Sequence, residues 1–125
     1  MHRHMIRSPH DATVMINVGT TAQPLWQVLY LWGVKIDLIT GLMVQRHGYD
    51  KNDKVRMMIY LQDVTASWES WDKNIPDGSY FTKGIIDPPE TPGEWKKVCE
   101  VWRVTASGRY DALLPIMHHL EIVGR

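Results

Sequence analysis

The chain has 125 residues and a mass of 14.5 kDa, which is the usual length of one domain. Fourteen basic residues balance fourteen acidic residues, and 44% of the residues are hydrophobic. This composition excludes a disordered tail, which lacks apolar residues, and a histone-like nucleic-acid clamp, which needs a large excess of Lys and Arg. The aromatic residues are skewed, with six Trp and five Tyr against one Phe. Trp and Tyr combine a ring with a polar group, so they are favoured where one edge of the ring stays hydrated or meets a partner.

Cysteine content and hydropathy indicate the compartment. The single cysteine, Cys99, excludes an intrachain disulfide and gives no sign of an oxidising compartment. No apolar stretch of signal-peptide length occurs near the N-terminus, and the most apolar segment, Leu25 to Leu31, is too short to span a bilayer. We therefore predict a soluble, intracellular protein that does not associate with a membrane.

The N-terminal part of the chain is polar at first and then becomes apolar. Residues 1–11 carry three of the six His and predict a flexible arm, followed by a single domain over 12–125. The run from Ala12 to Val18 predicts a short strand that ends at Gly19. The apolar segment Leu25 to Trp32 fits either a buried short helix or the approach to a strand, because periodicity does not separate the two.

The clearest signal in the sequence is a long alternation. From Val34 to Val44, apolar residues occupy every second position, which is typical of a half-buried strand. The pattern predicts one strand from Val34 to Gln45, much longer than the usual length of about five or six residues. Gly41 lies near its middle on the less apolar face. A glycine there allows the strand to coil or bulge as it bends around a small barrel.

A second alternation follows a polar loop. Turn-forming residues fill 47–54, and apolar residues then alternate with polar ones from Val55 to Gln62. Two alternating strands joined by a polar loop predict an antiparallel hairpin. The residues predicted on its outward face are Arg56, Tyr60 and Gln62, opposite Lys35, Met43 and Gln45.

The segment after this hairpin predicts a third strand and one ambiguous element. Ser79 to Ile86 is β-prone and ends at Pro88 and Pro89, which have no N–H to donate to a ladder. Thr91 then fits a helix N-cap, with proline at the next position and glutamate three residues after the cap. Because the segment is also rich in β-branched residues, both helix and strand stay open for 92–107.

The C-terminal part of the chain predicts one more strand. Gly108 is expected to end the preceding element, whether helix or strand. The stretch from Met117 to Val123 is β-prone, with Leu120 and Ile122 alternating with more polar neighbours. This pattern predicts the last strand of the domain.

The two alternations resemble the first hairpin of an OB fold. That family often has a glycine within a long, curled first strand and an Asp near the end of the second, at the positions occupied here by Gly41 and Asp63. The similarity is to OB domains of the telomere-end-binding and replication-protein-A types, is carried by 41–44, the polar loop and 55–65, and covers about 30 residues. The resemblance implies a mainly β domain with one or two short helices, built as a small antiparallel β-barrel.

The resemblance also implies a site for single-stranded nucleic acid. OB folds bind single strands across the second and third strands and between the longer loops. Aromatic ring faces accept any base, at ~1–3 kcal/mol per stack, and Lys and Arg follow the phosphates. The implied contacts are Tyr49, Lys51, Lys54, Arg56, Tyr60, Trp68, Trp71, Tyr80 and Lys83. The alternative for Tyr60 and the Trp pair is packing, as a cross-strand partner and as a cap on the barrel.

Signals for a metal, a cofactor or catalysis are weak. Histidines pair in sequence at 2 and 4 and at 118 and 119, but no Cys-x-x-Cys or His-Glu-x-x-His spacing is present. We therefore expect no metal and no cofactor. No Gly-rich phosphate loop or nucleophile elbow occurs either. Acid and base candidates for an alternative, a small β-barrel enzyme, are Asp37, His47 and Asp63.

The sequence favours a non-catalytic binding module. A domain of zero net charge can bind single-stranded DNA or RNA through an aromatic groove, but long-range charge does not assist it. We therefore expect it to work inside a multiprotein complex, with a protein partner or self-association. The alternative is a protein–protein assembly module, such as a small viral coat or matrix protein or an oligomeric β-domain, because Met and Trp are enriched at interfaces.

Overall fold

The computed structural model describes residues 8–47, 49–110 and 118–125 of the chain. It confirms the predicted mainly β fold with two short helices. The strands are β1 (His10–Asn17), β2 (Trp26–Leu38), β3 (Val55–Tyr60), β4 (Thr65–Ala66), β5 (Tyr80–Lys83), β6 (Trp102–Tyr110) and β7 (His119–Gly124); the helices are α1 (Gly41–His47) and α2 (Pro92–Trp95).

Six strands form a closed, barrel-like ring in the order β1-β5-β6-β7-β3-β2, with β2 returning to β1. Every pairing is antiparallel. Strand β2 closes the ring because its first part pairs with β1 and its last four residues, from Lys35 to Leu38, pair with β3. The short β4 lies beside β2 at Leu31 and Trp32. This ring has one strand more than the five-stranded barrel of the OB fold. The strand count does not establish the resemblance to that family, which stays a prediction.

Alternate residues of the strands fill the interior of the ring. On β3, Val55, Met57 and Ile59 are fully buried, while the residues between them are half-buried on the outer face. Leu29 and Leu31 of β2 lie in the same core. The remaining buried core residues from the ring are Ala12, Val14, Ile16, Val34, Ile36, Phe81, Trp102, Val104, Leu120 and Ile122. The alternation of apolar and polar residues that predicted β3 therefore reflects the burial of one face of this strand.

A second layer covers the outside of β1 and β5. The hydroxyl of Thr13 donates to the carbonyl of Gly84 (2.7 Å) and accepts from the N–H of Ile86 (3.0 Å). These bonds hold the chain that follows β5 against the outer face of β1. Trp95 of α2 is fully buried but lies outside the cluster that fills the ring. The core is thus divided between the ring interior and this outer layer.

The ordered domain begins earlier than predicted. Strand β1 starts at His10, two residues before the predicted domain boundary, and Ser8 is already buried. The Ser8 hydroxyl donates to Asp63 Oδ2 at 3.1 Å. Residues 8–11 are therefore part of the domain and not of an arm. The rest of the predicted arm, 1–7, lies outside the described residues.

The predicted hairpin is confirmed, together with the strand expected from 12 to 18. Strands β2 and β3 pair antiparallel, with Asp37 opposite Arg56. The open alternatives for 25–32 resolve as a strand, because this segment forms the first part of β2. The third and last predicted strands are present as β5 and β7, each with shifted ends, and Met117 lies outside the described residues.

The predicted strand from Val34 to Gln45 is wrong beyond Leu38. The chain leaves the sheet there, and α1 begins at Gly41, so Met43 and Gln45 do not lie on a hairpin strand. Thr40 starts the helix: its hydroxyl accepts from the N–H of Met43 (3.3 Å), and its carbonyl accepts from Val44. Strand β2 does contain an irregularity at a glycine, but that glycine is Gly33, which has φ of 87° and lies where the register with β1 shifts.

The segment 92–107, for which helix and strand were both open, contains a short helix followed by part of a strand. Thr91 caps α2 as predicted, since its hydroxyl accepts from the N–H of Glu94. The helix ends at Trp95, however, and 102–107 belong to β6. Gly108 does not end that element, because β6 continues to Tyr110. Cross-strand pairing with β7 keeps the glycine in the strand despite its low intrinsic preference for extended structure.

Candidate functional surfaces

One outer surface of the strand ring carries three side chains whose aromatic rings lie in a row. It is the outer side of β3, β7 and β6, where the sheet register aligns Tyr60 with His119 and His119 with Tyr110. The ring centroids of Tyr60 and His119 are 5.1 Å apart, and those of His119 and Tyr110 are 5.2 Å apart with nearly parallel planes. Tyr110 ends the row and is 52% exposed. We call these three residues, with Tyr49, Arg56 and Glu121 beside them, the aromatic face.

Hydrogen bonds link the polar members of the aromatic face. The hydroxyl of Tyr49 donates to Glu121 Oε1, and Arg56 Nη1 donates to the same hydroxyl oxygen at 3.3 Å. On its other side, Arg56 Nη2 lies 3.4 Å from Asp37 Oδ2. Lys35 Nζ lies 3.9 Å from that carboxylate. Among the described residues, Arg56 and Lys35 both contact the Asp37 carboxylate, and the Glu121 carboxylate is linked to Arg56 through Tyr49.

Partial burial shapes the chemistry of Tyr49. Burial raises the pKa of the Tyr49 hydroxyl above its usual value of 10.0, and the hydrogen bond to Glu121 raises it further. The hydroxyl accordingly stays protonated as the donor to the carboxylate. Together with the ion pair on the other side of Arg56, this leaves the aromatic face close to electrically neutral. A cleft of about 480 Å³ opens beside it, lined by Tyr49, Arg56, Glu121, Gly108 and Tyr110 among others.

Three predicted contact residues come together on the aromatic face, namely Tyr49, Arg56 and Tyr60. Lys51 and Lys54 are exposed in the adjoining loop. The two carboxylates of that loop contact Arg125, which lies 2.9 Å from Asp53 and 3.5 Å from Asp50. Counted with Arg125, the loop has three cations and two carboxylates, an excess of one positive charge.

The structure separates the other predicted strand contacts from this surface. Tyr80 and Lys83 lie on β5, and β6 and β7 stand between β5 and β3 in the ring. The groove was predicted between the strands at 55–62 and 79–86, which are β3 and β5 in the structure. It does not form, because β3 and β5 are not neighbours in the sheet. Arg56 and Tyr60 share one side of the barrel, and Tyr80 belongs to another.

Tyr80 has its own aromatic partner, which the sequence did not single out. Its ring meets the ring of Trp26 edge to face, with centroids 5.7 Å apart, and Lys96 Nζ lies 4.9 Å from its centroid. A cleft of about 320 Å³ runs past both rings and is also lined by Arg103 and Asp77. Within the described part of the chain, Lys96 and Arg103 have no carboxylate partner in an ion pair. The sequence did not distinguish Trp26 from its neighbours, because the whole apolar segment 25–32 indicated burial.

Trp68 and Trp71 both pack with the core of the ring. Trp71 is only 8% exposed and belongs to the core cluster, with its indole N–H donating to the carbonyl of Asn74. Trp68 packs against that cluster, and its N–H donates to the carbonyl of Val28 at 2.9 Å. Both indoles therefore take part in packing, and their role as a cap on the barrel stays a prediction. A buried ring such as Trp71 has no free face on which a base can stack.

The acid and base candidates do not converge in the described residues. Asp37 pairs with Arg56, while Asp63 accepts a hydrogen bond from Ser8. The side chain of His47 lies outside the described residues. Among the residues that are described, no group of three or more His, Cys, Asp or Glu could hold a metal ion.

Comparisons with known proteins identify no relative. No protein-family model, no curated protein and no solved structure matches the chain. None of the helices in the described ranges has the length and apolar character needed to cross a membrane.

Proposed function

We propose that this protein is a non-catalytic assembly module that associates with further copies of itself through the side of the ring formed by β3, β7 and β6. The observation that carries the proposal is the aromatic face, where stacked rings adjoin charges that already neutralise one another. Neutral, aromatic-rich surfaces with an Arg are typical of the centre of protein–protein contacts. A phosphate-binding surface would instead offer cations without carboxylate partners.

Charge supports self-association over binding to a charged partner. The chain carries no net charge, so two copies meet without long-range repulsion. Large apolar side chains are also exposed, and Leu38 at 70% is the most exposed of them. On the aromatic face itself, Tyr110 is 52% exposed.

Sedimentation velocity over a range of protein concentrations tests the proposal. We expect the native chain to form dimers or larger species, and Tyr110→Ser to weaken the association at least about tenfold by removing an exposed ring from the contact. Val98→Ser is the matched control, because Val98 is 69% exposed and lies away from this side of the ring. A native chain that stays monomeric at high protein concentration contradicts the proposal.

A second candidate function is binding of single-stranded nucleic acid, and the Trp26–Tyr80 cleft favours it. Two aromatic rings lie there beside Lys96 and Arg103, which are available to phosphate groups. Aromatic rings with adjacent cations are the usual means of holding a single strand. This pairing differs from the predicted groove and retains only Tyr80 from it.

Tryptophan fluorescence during titration with oligo(dT) and oligo(U) at low salt tests this second function. We expect quenching that weakens steeply with added salt and that Lys96→Ala reduces. Lys97→Ala is the control, since the neighbouring Lys97 is exposed and makes no contact with the Tyr80 ring. Absence of quenching with both oligonucleotides at low salt contradicts this function.

A further inference from the structure

A cleft distinct from the aromatic face and from the Trp26–Tyr80 cleft lies where β1 ends and β2 begins. Its volume is about 640 Å³, and small-molecule sites usually have volumes of about 300–1,000 Å³. One wall is formed by the end of β1 and the start of β2, and the other wall is the segment 68–76. Every residue that lines the cleft belongs to the described ranges, and none of them lies on β3, β6 or β7.

Hydrogen bonds between side chains and backbone hold both walls of this cleft in place. The indole N–H of Trp71 donates to the carbonyl of Asn74 at 3.0 Å, and the N–H of Asn74 donates to Asp72 Oδ1 at 3.1 Å. On the opposite wall, the side-chain oxygen of Asn17 accepts from the N–H of Gly19 at 2.9 Å. The cleft is therefore preformed, so that a ligand binds with little loss of conformational entropy in the protein.

Polar side chains around the cleft keep hydrogen-bonding capacity for a ligand. Those of Gln27, Ser70 and Asn74 are exposed, line the cleft and make no hydrogen bond to the described part of the chain. Asp72 uses one carboxylate oxygen for the N–H of Asn74 and leaves the other available. Carboxamides and hydroxyls both donate and accept, so this set of side chains suits a ligand that carries several hydroxyl groups.

Trp68 gives the same cleft an aromatic surface. Its indole is half-buried, and its N–H donates to the carbonyl of Val28 at 2.9 Å, so the orientation of the ring is fixed. Ile16 and Val18 add aliphatic surface on the opposite wall. The face of an aromatic ring is electron-rich and attracts the weakly positive C–H groups of a ligand.

The charges at the cleft disfavour an anionic ligand. Of the described residues that line it, none is Lys, Arg or His, and Asp72 is the only charged one. The adjacent Lys73 places its Nζ 6.0 Å from the centroid of the Trp71 ring. A phosphate group would therefore meet a carboxylate without a lining cation beside it. Because Asp72 is exposed to water, it also stabilises a cationic ligand only slightly.

We propose that this cleft binds a neutral saccharide, with the C–H face of one sugar ring against Trp68 and its hydroxyl groups bonded to Gln27, Asn74 and Asp72. A sugar ring has both features that the cleft calls for, since it carries an apolar C–H face and hydroxyl groups around its edge. An apolar ligand would leave the polar side chains without partners. The site is independent of the proposed self-association, which uses the β3, β7 and β6 side of the ring.

Saturation-transfer-difference NMR with four neutral disaccharides, namely maltose, cellobiose, lactose and N,N′-diacetylchitobiose, tests the site. We expect transfer to at least one of them, with a millimolar Kd. Gln27→Ala should weaken that binding at least about fivefold, because it removes hydrogen bonds from an exposed side chain. Gln23→Ala is the matched control, since Gln23 is also an exposed glutamine but does not line the cleft.

A second variant fills the cleft without removing a core side chain. Ser70→Trp adds a bulky ring at an exposed position on the 68–76 wall, and we expect it to abolish saccharide binding while far-ultraviolet circular dichroism stays native. Transfer to none of the four disaccharides overturns the proposal. Equal binding by the native chain and both variants also overturns it, because the saccharide then binds elsewhere. If Ser70→Trp instead abolishes binding of oligo(dT), the cleft belongs to a nucleic-acid site and the saccharide assignment is wrong. None of these results bears on self-association, which sedimentation tests separately.

Discussion

Tyr49 and Glu121 are 72 residues apart in the chain, and a hydrogen bond from the Tyr49 hydroxyl to the Glu121 carboxylate joins them on the aromatic face. This bond ties the loop before β3 to β7. We expect Tyr49→Phe to lower the free energy of unfolding by about 1 kcal/mol, because a partly buried carboxylate loses its donor. Glu121→Gln keeps an acceptor oxygen and should cost less. Urea denaturation of the two variants checks the order, and a larger loss for Glu121→Gln would contradict it.

The same bond predicts a dependence on alkaline pH. Burial, followed by the bond to Glu121, raises the pKa of Tyr49 above 10.0 in the folded state. The unfolded chain therefore loses this proton first, and the contribution of Tyr49 to stability, complete below about pH 10, declines as the pH rises through the folded pKa. Denaturation midpoints of the native chain should fall more steeply above about pH 10 than those of Tyr49→Phe. Parallel pH profiles for the two proteins would contradict this expectation.

Gly124 near the end of β7 is a packing constraint. A Cβ at this position would lie 3.0 Å from the Phe81 ring, from Trp102 Cβ and from Val55 Cγ1. We expect Gly124→Ala to cost roughly 1–3 kcal/mol by overpacking the core. Gly41→Ala is the control, since a Cβ there meets nothing within 4 Å and alanine favours the helix. Thermal unfolding should show a lower Tm for Gly124→Ala only; equal Tm values would disprove the packing argument.

His10 predicts a dependence on acidic pH. Its Nδ1 accepts the N–H of Ile36 at 3.0 Å, and burial, followed by the charge of Lys83, lowers the pKa of His10 below 6.5. The unfolded chain takes up the proton first, so the stability from His10 is complete above about pH 6.5 and is lost as the pH falls through the folded pKa. Chemical denaturation at a series of pH values should show a shallower acid decline for His10→Gln than for the native chain. An unchanged decline would rule out His10 as its source.

Thr13 fastens the outer layer to the ring. Thr13 is fully buried, and its hydroxyl donates to the carbonyl of Gly84 and accepts from the N–H of Ile86. Thr13→Val keeps the shape but removes the partner of the partly buried Gly84 carbonyl and Ile86 N–H, at a cost of about 1 kcal/mol. Thr65→Val on the exposed β4 is the control and should be near neutral. Amide hydrogen exchange at Ile86 should accelerate in Thr13→Val; unchanged exchange would contradict the role of the hydroxyl.

Local pattern was sufficient for strand β3 but not for the end of β2. The alternation of Val55, Met57 and Ile59 predicted a half-buried strand because burial of one face has a period of two residues. The alternation before Val44 failed past Leu38, since a few apolar residues on a short helix mimic the same spacing. Thr40 was a readable signal for that helix, as Thr is a preferred N-cap.

The candidate surfaces show the same division. Tyr49, Arg56 and Tyr60 were predictable as a group because they lie on and beside one strand of a recognisable hairpin. The stacking of Tyr60 and Tyr110 on His119 was not predictable, because it depends on β3 and β6 flanking β7. The pairing of Trp26 with Tyr80 likewise required β1 to bring β2 and β5 close together.

The sequence by itself determined the mainly β class, most of the strands and the neutral, Trp- and Tyr-rich character of the chain, because these depend on composition and on periods of a few residues. Only the tertiary structure decided the order of the strands around the ring. That order separates β5 from β3 and places β7 between β3 and β6. Strand order follows from contacts between residues distant in sequence, and the energy of those contacts is invisible to any local pattern.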